Sequence, residues 1–328
     1  MNLRKTATSI LLALGLALPA AGALAERTGY LFVSSENDNA VSVLDGNTYA
    51  LIKTIPTGER PRDMKFTHDR SQLFVLASRD DRVDVIDLAT LEVTHSIDTG
   101  DDPEMIDFSA DGRYFYVSNE DDALVSVIDI EAREVIHEIE VGEEPEGILV
   151  SPDGKWLYVA SEVANMIHVI DTSNHETVAD IVVGNRPRRF AATPDGAEVW
   201  VTNELSGSVS ILDGGQHVLK DTIVFEPRGF RAEEVTPVGI TMTRDGKTAY
   251  VTLGRANHFA VVDVASRAVK DYVLVGSRAW GVALNRDETR LFVVNGLSDD
   301  LSIVDTANNR VLRSVPVGRV PHTVVIDD

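Results

Sequence analysis

The chain has 328 residues, 44% of them apolar, so a sizeable core is available and whole-chain disorder is excluded. Lys and Arg total 30 against 52 Asp and Glu, a formal charge of −22; this excludes a nucleic-acid binder, which needs a clustered basic surface, and a protein held on anionic lipid. There is no cysteine, and with it go disulfides, iron–sulfur clusters, thiolate zinc sites, thiol nucleophiles and covalently attached c-type haem.

Residues 1–25 read as an export signal. Arg4 and Lys5 precede an apolar run, Ile10–Leu18, and Ala23-Leu24-Ala25 fits small-x-small cleavage before Glu26. The run is short for a bilayer span, which needs about 20 residues. The expectation is a periplasmic chain over 26–328 with no membrane span once the signal is removed.

From there one unit recurs. An apolar-Asp pair ends at Asp45, Asp87, Asp129, Asp171, Asp213, Asp263 and Asp305, in steps of 42, 42, 42, 42, 50 and 42. An aromatic stands 13 residues before each Asp, from Phe32 to Phe292, and a Gly precedes a turn at Gly58, Gly100, Gly142, Gly184, Gly276 and Gly318. Each unit holds four short runs rich in Val, Ile and Tyr, bounded by Gly, Pro, Asp and Asn, with no sustained helical period. Seven repeats of four strands predict an all-β, seven-bladed β-propeller with four-stranded antiparallel blades.

The phase of the repeat predicts how the ring closes. The chain enters on an aromatic strand, YLFVSS, and leaves on a Pro-led strand, PHTVVIDD. Blade 1 should therefore combine three N-terminal strands with the C-terminal one, innermost, pairing Val324–Ile326 with Tyr30–Val33. The seven repeat-ending Asp residues and the Asp-Gly-type turns at Asp69, Asp111, Asp153, Asp195, Asp245 and Asp287 read as turn formers rather than catalysts.

The stretches YVSN (116–119) and WVTN (200–203) resemble the YVTN family of propellers. SEVANMIHVIDTSNHETV (161–178), NRPRRFAATPDG (185–196), FEPRGFRAEEVTPVGI (225–240) and VGSRAWGVALNRD (275–287) are similar to one branch, the β-propeller proteins associated with pyrroloquinoline quinone (PQQ)-dependent catabolism. The resemblance covers essentially all of 26–328. It implies a periplasmic setting beside PQQ alcohol dehydrogenases and a transporter. It does not imply a quinoprotein dehydrogenase, which would have eight blades, Trp-rich docking repeats, a vicinal disulfide and bound calcium. A more distant resemblance is to the haem-binding propeller of a dissimilatory nitrite reductase, whose chemistry needs an axial ligand that this sequence does not clearly offer.

Function in propellers sits on loops at the channel mouth. The residues entering the innermost strands vary on a fixed frame: Arg62, Glu104, Glu146, Arg188, Arg189, Trp280 and His322. The loops beside them add Glu120, Glu162 and Glu204. These ten residues form the predicted binding face. Its acids gather in blades 3 and 4 and its arginines in blades 2 and 5. One reading is an acidic sector for a cation or a basic partner. The other is a solvated ring of Arg–carboxylate pairs, each worth at most about 1 kcal/mol. No EF-hand spacing is present, so no metal ligand is assigned and calcium binding is left open. The eight-residue insertion around 225–236 is a candidate lid or docking finger, or a plug packed on the ring. His168 fills a column of Ser42, Ser126, Ser210 and Ser302 and reads as a hydrogen-bonded structural residue. His258 falls on the same face.

No catalytic residue is assigned. The expected function is a monomeric periplasmic binding or scaffold protein associated with PQQ-dependent alcohol oxidation, with a PQQ dehydrogenase, its cytochrome acceptor or a transporter component as partner. The alternatives are a lactonase-like hydrolase at the channel mouth and a carrier of a noncovalently bound redox cofactor.

Overall fold

The computed structural model describes residues 26–328; the predicted export signal lies outside them. Their strands form seven four-stranded antiparallel sheets arranged as the blades of a propeller. Blade 2 is typical: Pro61–Phe66 lies innermost, followed outward by Gln72–Ala77, Arg82–Asp87 and Glu92–Asp98. The helical content of the described residues is three 3₁₀ turns, Ser78–Asp80, Glu204–Ser206 and Ala232–Glu234. None of their helices is long and apolar enough to cross a membrane.

The ring closes as the repeat phase predicts. Pro321–Asp327 is the innermost strand of blade 1, antiparallel to Tyr30–Ser35, with Leu31 opposite Ile326 and Val33 opposite Val324. Asp327 locks the seam, accepting hydrogen bonds from the Thr28 backbone N–H (2.8 Å) and hydroxyl (2.9 Å).

The core is seven separate clusters, one between each pair of adjacent blades. The aromatic column supplies one anchor to each: Phe32, Phe74, Tyr116, Tyr158, Trp200, Tyr250 and Phe292 are all buried. The middle strands are buried along nearly their whole length, because a blade is covered on both faces by its neighbours.

The turn-forming carboxylates behave as expected. Asp45 accepts from the N–H groups of Asn47 and Thr48, Asp213 from those of Gly215 and Gln216. In two of the Asp-Gly-type turns the left-handed residue is not glycine: Arg70 and Glu288 take φ of 59° and 58°, where Gly112 and Gly154 stand in sister blades. Blade 6 departs most from the repeat. Its innermost strand is only Ile240–Met242, without the ladder pair that the entering Pro or Ala makes in sister blades.

The insertion packs on the ring. Phe225 and Val235 are buried in the cluster between blades 5 and 6, and Phe230 packs against it. Its polar residues Arg228, Arg231 and Glu233 remain exposed.

Candidate functional site

The innermost strands position the site. In six blades the pairing between the first and second strands shifts register just after the entering Pro or Ala, as between Pro61 and Met64 or Pro145 and Ile148. Such a bulge re-aims the residue it releases. The released residues are Arg62, Glu104, Glu146, Arg188, Trp280 and His322, with Val238 at the same position in blade 6. A second-strand hydroxyl satisfies the backbone group freed beside the bulge. In blade 3 the Ser118 hydroxyl accepts from Met105 N–H and donates to the Glu146 carbonyl of blade 4. Ser34, Thr202 and Thr252 make the equivalent clip to Arg62, Val238 and Trp280.

The ring thus assembled is buried, not a solvated rim. Glu104 is 0% exposed, Glu146 1% and His322 2%. Arg62 pairs with Glu104 and lies 3.8 Å from Glu146. Arg188 reaches Glu146 at 3.0 Å and also pairs with Glu162 and Glu204. Arg189 sits one layer deeper and crosses the channel to donate to the His322 ring at 2.9 Å. All ten predicted residues therefore gather at one channel mouth, and both earlier pictures of their charges need correcting. The pairs are desolvated, so the value for surface pairs does not apply to them. Glu104 and Glu146 are too buried and too well matched by arginine to act as an outward acidic sector. Two three-carboxylate groups, Asp102–Glu104–Glu120 and Glu120–Glu144–Glu162, bring oxygens within 4.8 Å of one another. Arg60 holds Asp102, Arg62 holds Glu104 and Arg186 holds Glu162, so guanidinium groups already supply the charge a cation would bring.

Protonation divides the acids into donors and acceptors. Burial would raise Glu146, but Arg188, Arg62 and Arg189 outweigh it and hold its carboxyl below the usual range. Burial and the neighbouring Glu146 charge push Glu162 up to about 8 against the pull of Arg188 and Arg186, and the two carboxyls share the Arg188 guanidinium. Burial raises Glu104 well above the usual range, more than Arg62 offsets, with the Glu146 and Glu120 charges acting in the same direction. His322 is driven well below the usual imidazole range, by burial first and then by Arg62 and Arg189, so it is neutral.

Above the ring lies a cavity of about 350 Å³, within the size range of small-molecule sites. Its wall includes Arg62, Glu120, Glu146, Arg188, Trp280 and His322 from the predicted set. It also includes Glu36 and Arg278, which were not singled out. Both signals were present: Glu36 stands two 42-residue repeats before Glu120, and Arg278 shares the column of Arg60 and Arg186. Trp280 is flanked by two guanidinium groups, Arg278 at 4.6 Å and Arg188 at 5.2 Å from its ring centre. The 225–236 insertion contributes no residue to this wall. His258 bonds the Ala256 carbonyl (2.6 Å) and packs edge-on against Phe230, away from it. His168 is structural, as its column suggests, joining Asp180 (2.6 Å) to the Gly142 N–H (3.0 Å).

Among proteins of curated function, none matches this sequence. The family model of the cytochrome D1 heme domain matches residues 27–141 and 69–181, a span short of half the chain. Among solved structures, hydrazine synthase of Kuenenia stuttgartiensis superposes with a TM-score of 0.78 at 19% identity, over 89% of this chain and 99% of that one. The periplasmic gluconolactonase PpgL of Pseudomonas aeruginosa gives 0.77 at 21% identity, over 91% and 99%. The dihydro-heme d1 dehydrogenase NirN gives 0.70 at 16% identity, over 94% and 77%. The residues at this mouth do not fit a heme: His322 is buried and its ring nitrogens are engaged by Arg189 and Thr323, leaving no imidazole free as an axial ligand. What these likenesses establish is the architecture, and the chain is a seven-bladed β-propeller.

Proposed function

We propose that this propeller is a periplasmic binding protein, that its ligand site is the cavity at the ringed channel mouth, and that it serves PQQ-dependent alcohol oxidation. The observation that carries the reading is the pre-assembled wall. Arg62, Glu146, Arg188 and Trp280 are held on rigid innermost strands by bulges and buried ion pairs, so little ordering remains to be done when a ligand enters. The setting rests on the sequence resemblance of 161–178, 185–196, 225–240 and 275–287. A PQQ dehydrogenase, its cytochrome acceptor or a transporter component is then the partner that supplies or receives the ligand.

The test is to purify the protein natively from the periplasm of alcohol-grown cells and identify the small molecules it releases on denaturation. Wild type should release a compound that the Trp280→Ala variant does not. Identical release from both would place the ligand elsewhere and end this reading.

One observation favours a second reading, a channel-mouth hydrolase. Glu146 and Glu162 flank one guanidinium, that of Arg188, and their proton affinities are driven apart, the pattern of an acid–base couple. Turnover of a lactone panel that is lost in Glu162→Gln would select it.

A further inference from the structure

The cavity wall has a polarity that the ring beneath it does not. Five arginines line it, Arg60, Arg62, Arg186, Arg188 and Arg278, against three glutamates, Glu36, Glu120 and Glu146. Four of the arginines already hold carboxylates. Arg278 does not: its guanidinium makes no ion pair among the described residues and lies over the Trp280 ring, and the residue is half-buried. The wall is therefore two-sided. Blades 7 and 1 present the uncommitted Arg278 with apolar surface from Trp280, Leu297 and Pro321. Across the mouth, blades 3 and 4 present Glu120 and Glu146 as acceptors.

Resting on the reading of this cavity as the ligand site, we propose that its ligand is a small hydroxycarboxylate, with the carboxylate on Arg278 and the hydroxyls toward Glu120 and Glu146. A free guanidinium pairs a planar carboxylate through two parallel N–H bonds. The arginine surplus favours a net anion over a cation or a neutral polyol. Trp280 and Leu297 give the carbon skeleton an apolar face. The far wall distinguishes hydroxyls from an ammonium. Glu146 is matched by Arg188 and Arg62, so it offers lone pairs rather than uncompensated charge, and Glu120 lies beside the Arg62-paired Glu104. A plain fatty acid would satisfy Arg278 and leave the buried Glu146 acceptor unpaired, which is costly.

The experiment is calorimetric titration of the chain from Glu26 with glycerate, gluconate, sorbitol, hexanoate and serine. Glycerate or gluconate should bind, and the other three should bind far more weakly. Arg278→Gln should weaken the hydroxycarboxylate about ten- to a hundredfold, the loss of one charge-assisted hydrogen-bonded pair. Preference for sorbitol, hexanoate or serine overturns the ligand class, yet leaves the cavity as the site if Trp280→Ala abolishes that binding. Hydroxycarboxylate binding unchanged in both Arg278→Gln and Trp280→Ala overturns the cavity itself. Absence of heat with every probe overturns the class.

Discussion

Glu162 shows how one side chain can make this molecule pH-sensitive. It is buried between Arg188, Arg186 and Glu146, and its carboxyl is pushed up to about 8 from an ordinary 4.5. A group raised on folding binds its proton more tightly in the native state. Its stabilising contribution is therefore complete below pH 4.5 and is lost as pH rises to and through about 8. Glu104, also raised, acts in the same direction. Glu146, lowered, acts in the opposite one and loses its contribution only in acid. Glu162→Gln keeps a neutral donor facing Glu146 while removing the titration. The expected outcome is a shallower fall in melting temperature between pH 4.5 and 8 than in wild type, measured at constant ionic strength. Parallel curves would mean that Glu162 is charged in the fold. None of this was legible in the sequence, where a glutamate among arginines reads as an exposed salt bridge. What the sequence did show was position: the 42-residue columns brought all ten candidate residues to one mouth. Depth was hidden because burial at the mouth depends on how closely seven innermost strands converge. The glycines at 147, 239 and 281 reflect that closeness, since a Cβ at Gly147 would collide with the Arg188 carbonyl of the next blade.

At the scale of elements, the insertion separates packing from binding. A long loop with two phenylalanines reads equally well as a lid or a plug, because composition does not say which way the rings face. In the fold Phe225 is 2% exposed in the core between blades 5 and 6, in the same cluster as Trp200, while Arg228 projects into solvent. Phe225→Ala should cost about 3–5 kcal/mol in urea unfolding, as a large core truncation does. Arg228→Ala should stay within about 0.5 kcal/mol. A neutral Phe225→Ala would mean the loop is a detachable flap. The hydroxyl clips at Ser34, Ser118, Thr202 and Thr252 were also visible as a column, 11 residues before each repeat Asp. Their role was not, because it depends on the bulge that frees a backbone N–H beside them. Blade 6 shows the converse. Its Pro237 promises a full innermost strand, yet it makes no ladder pair with the second strand, and pairing begins at Ile240.

A propeller is a stack bent into a circle, so its stability depends on the last joint as much as on any blade. Here the joint is one strand, Pro321–Asp327, which supplies the innermost ladder of blade 1 and its contacts with blades 2 and 7. It also carries His322, the channel partner of Arg189, and Asp327, the acceptor of Thr28. Deleting 321–328 would expose the Tyr30–Ser35 edge and leave the buried Val33 and Leu31 uncovered on the ring side. The truncated chain should melt well below the full-length protein and over a broader range, since the loss propagates to both neighbouring blades. A permutant separates the strand itself from the sequence position it occupies. Because Tyr30 stands opposite Asp327 in an antiparallel pair, joining 321–328 ahead of Gly29 through a short turn makes the two strands an ordinary hairpin. That permutant should recover the sharp full-length transition. Full recovery with the truncation destabilised shows that closure, not chain order, holds the ring. A truncation that melted like the intact protein would show instead that the five untouched interfaces suffice.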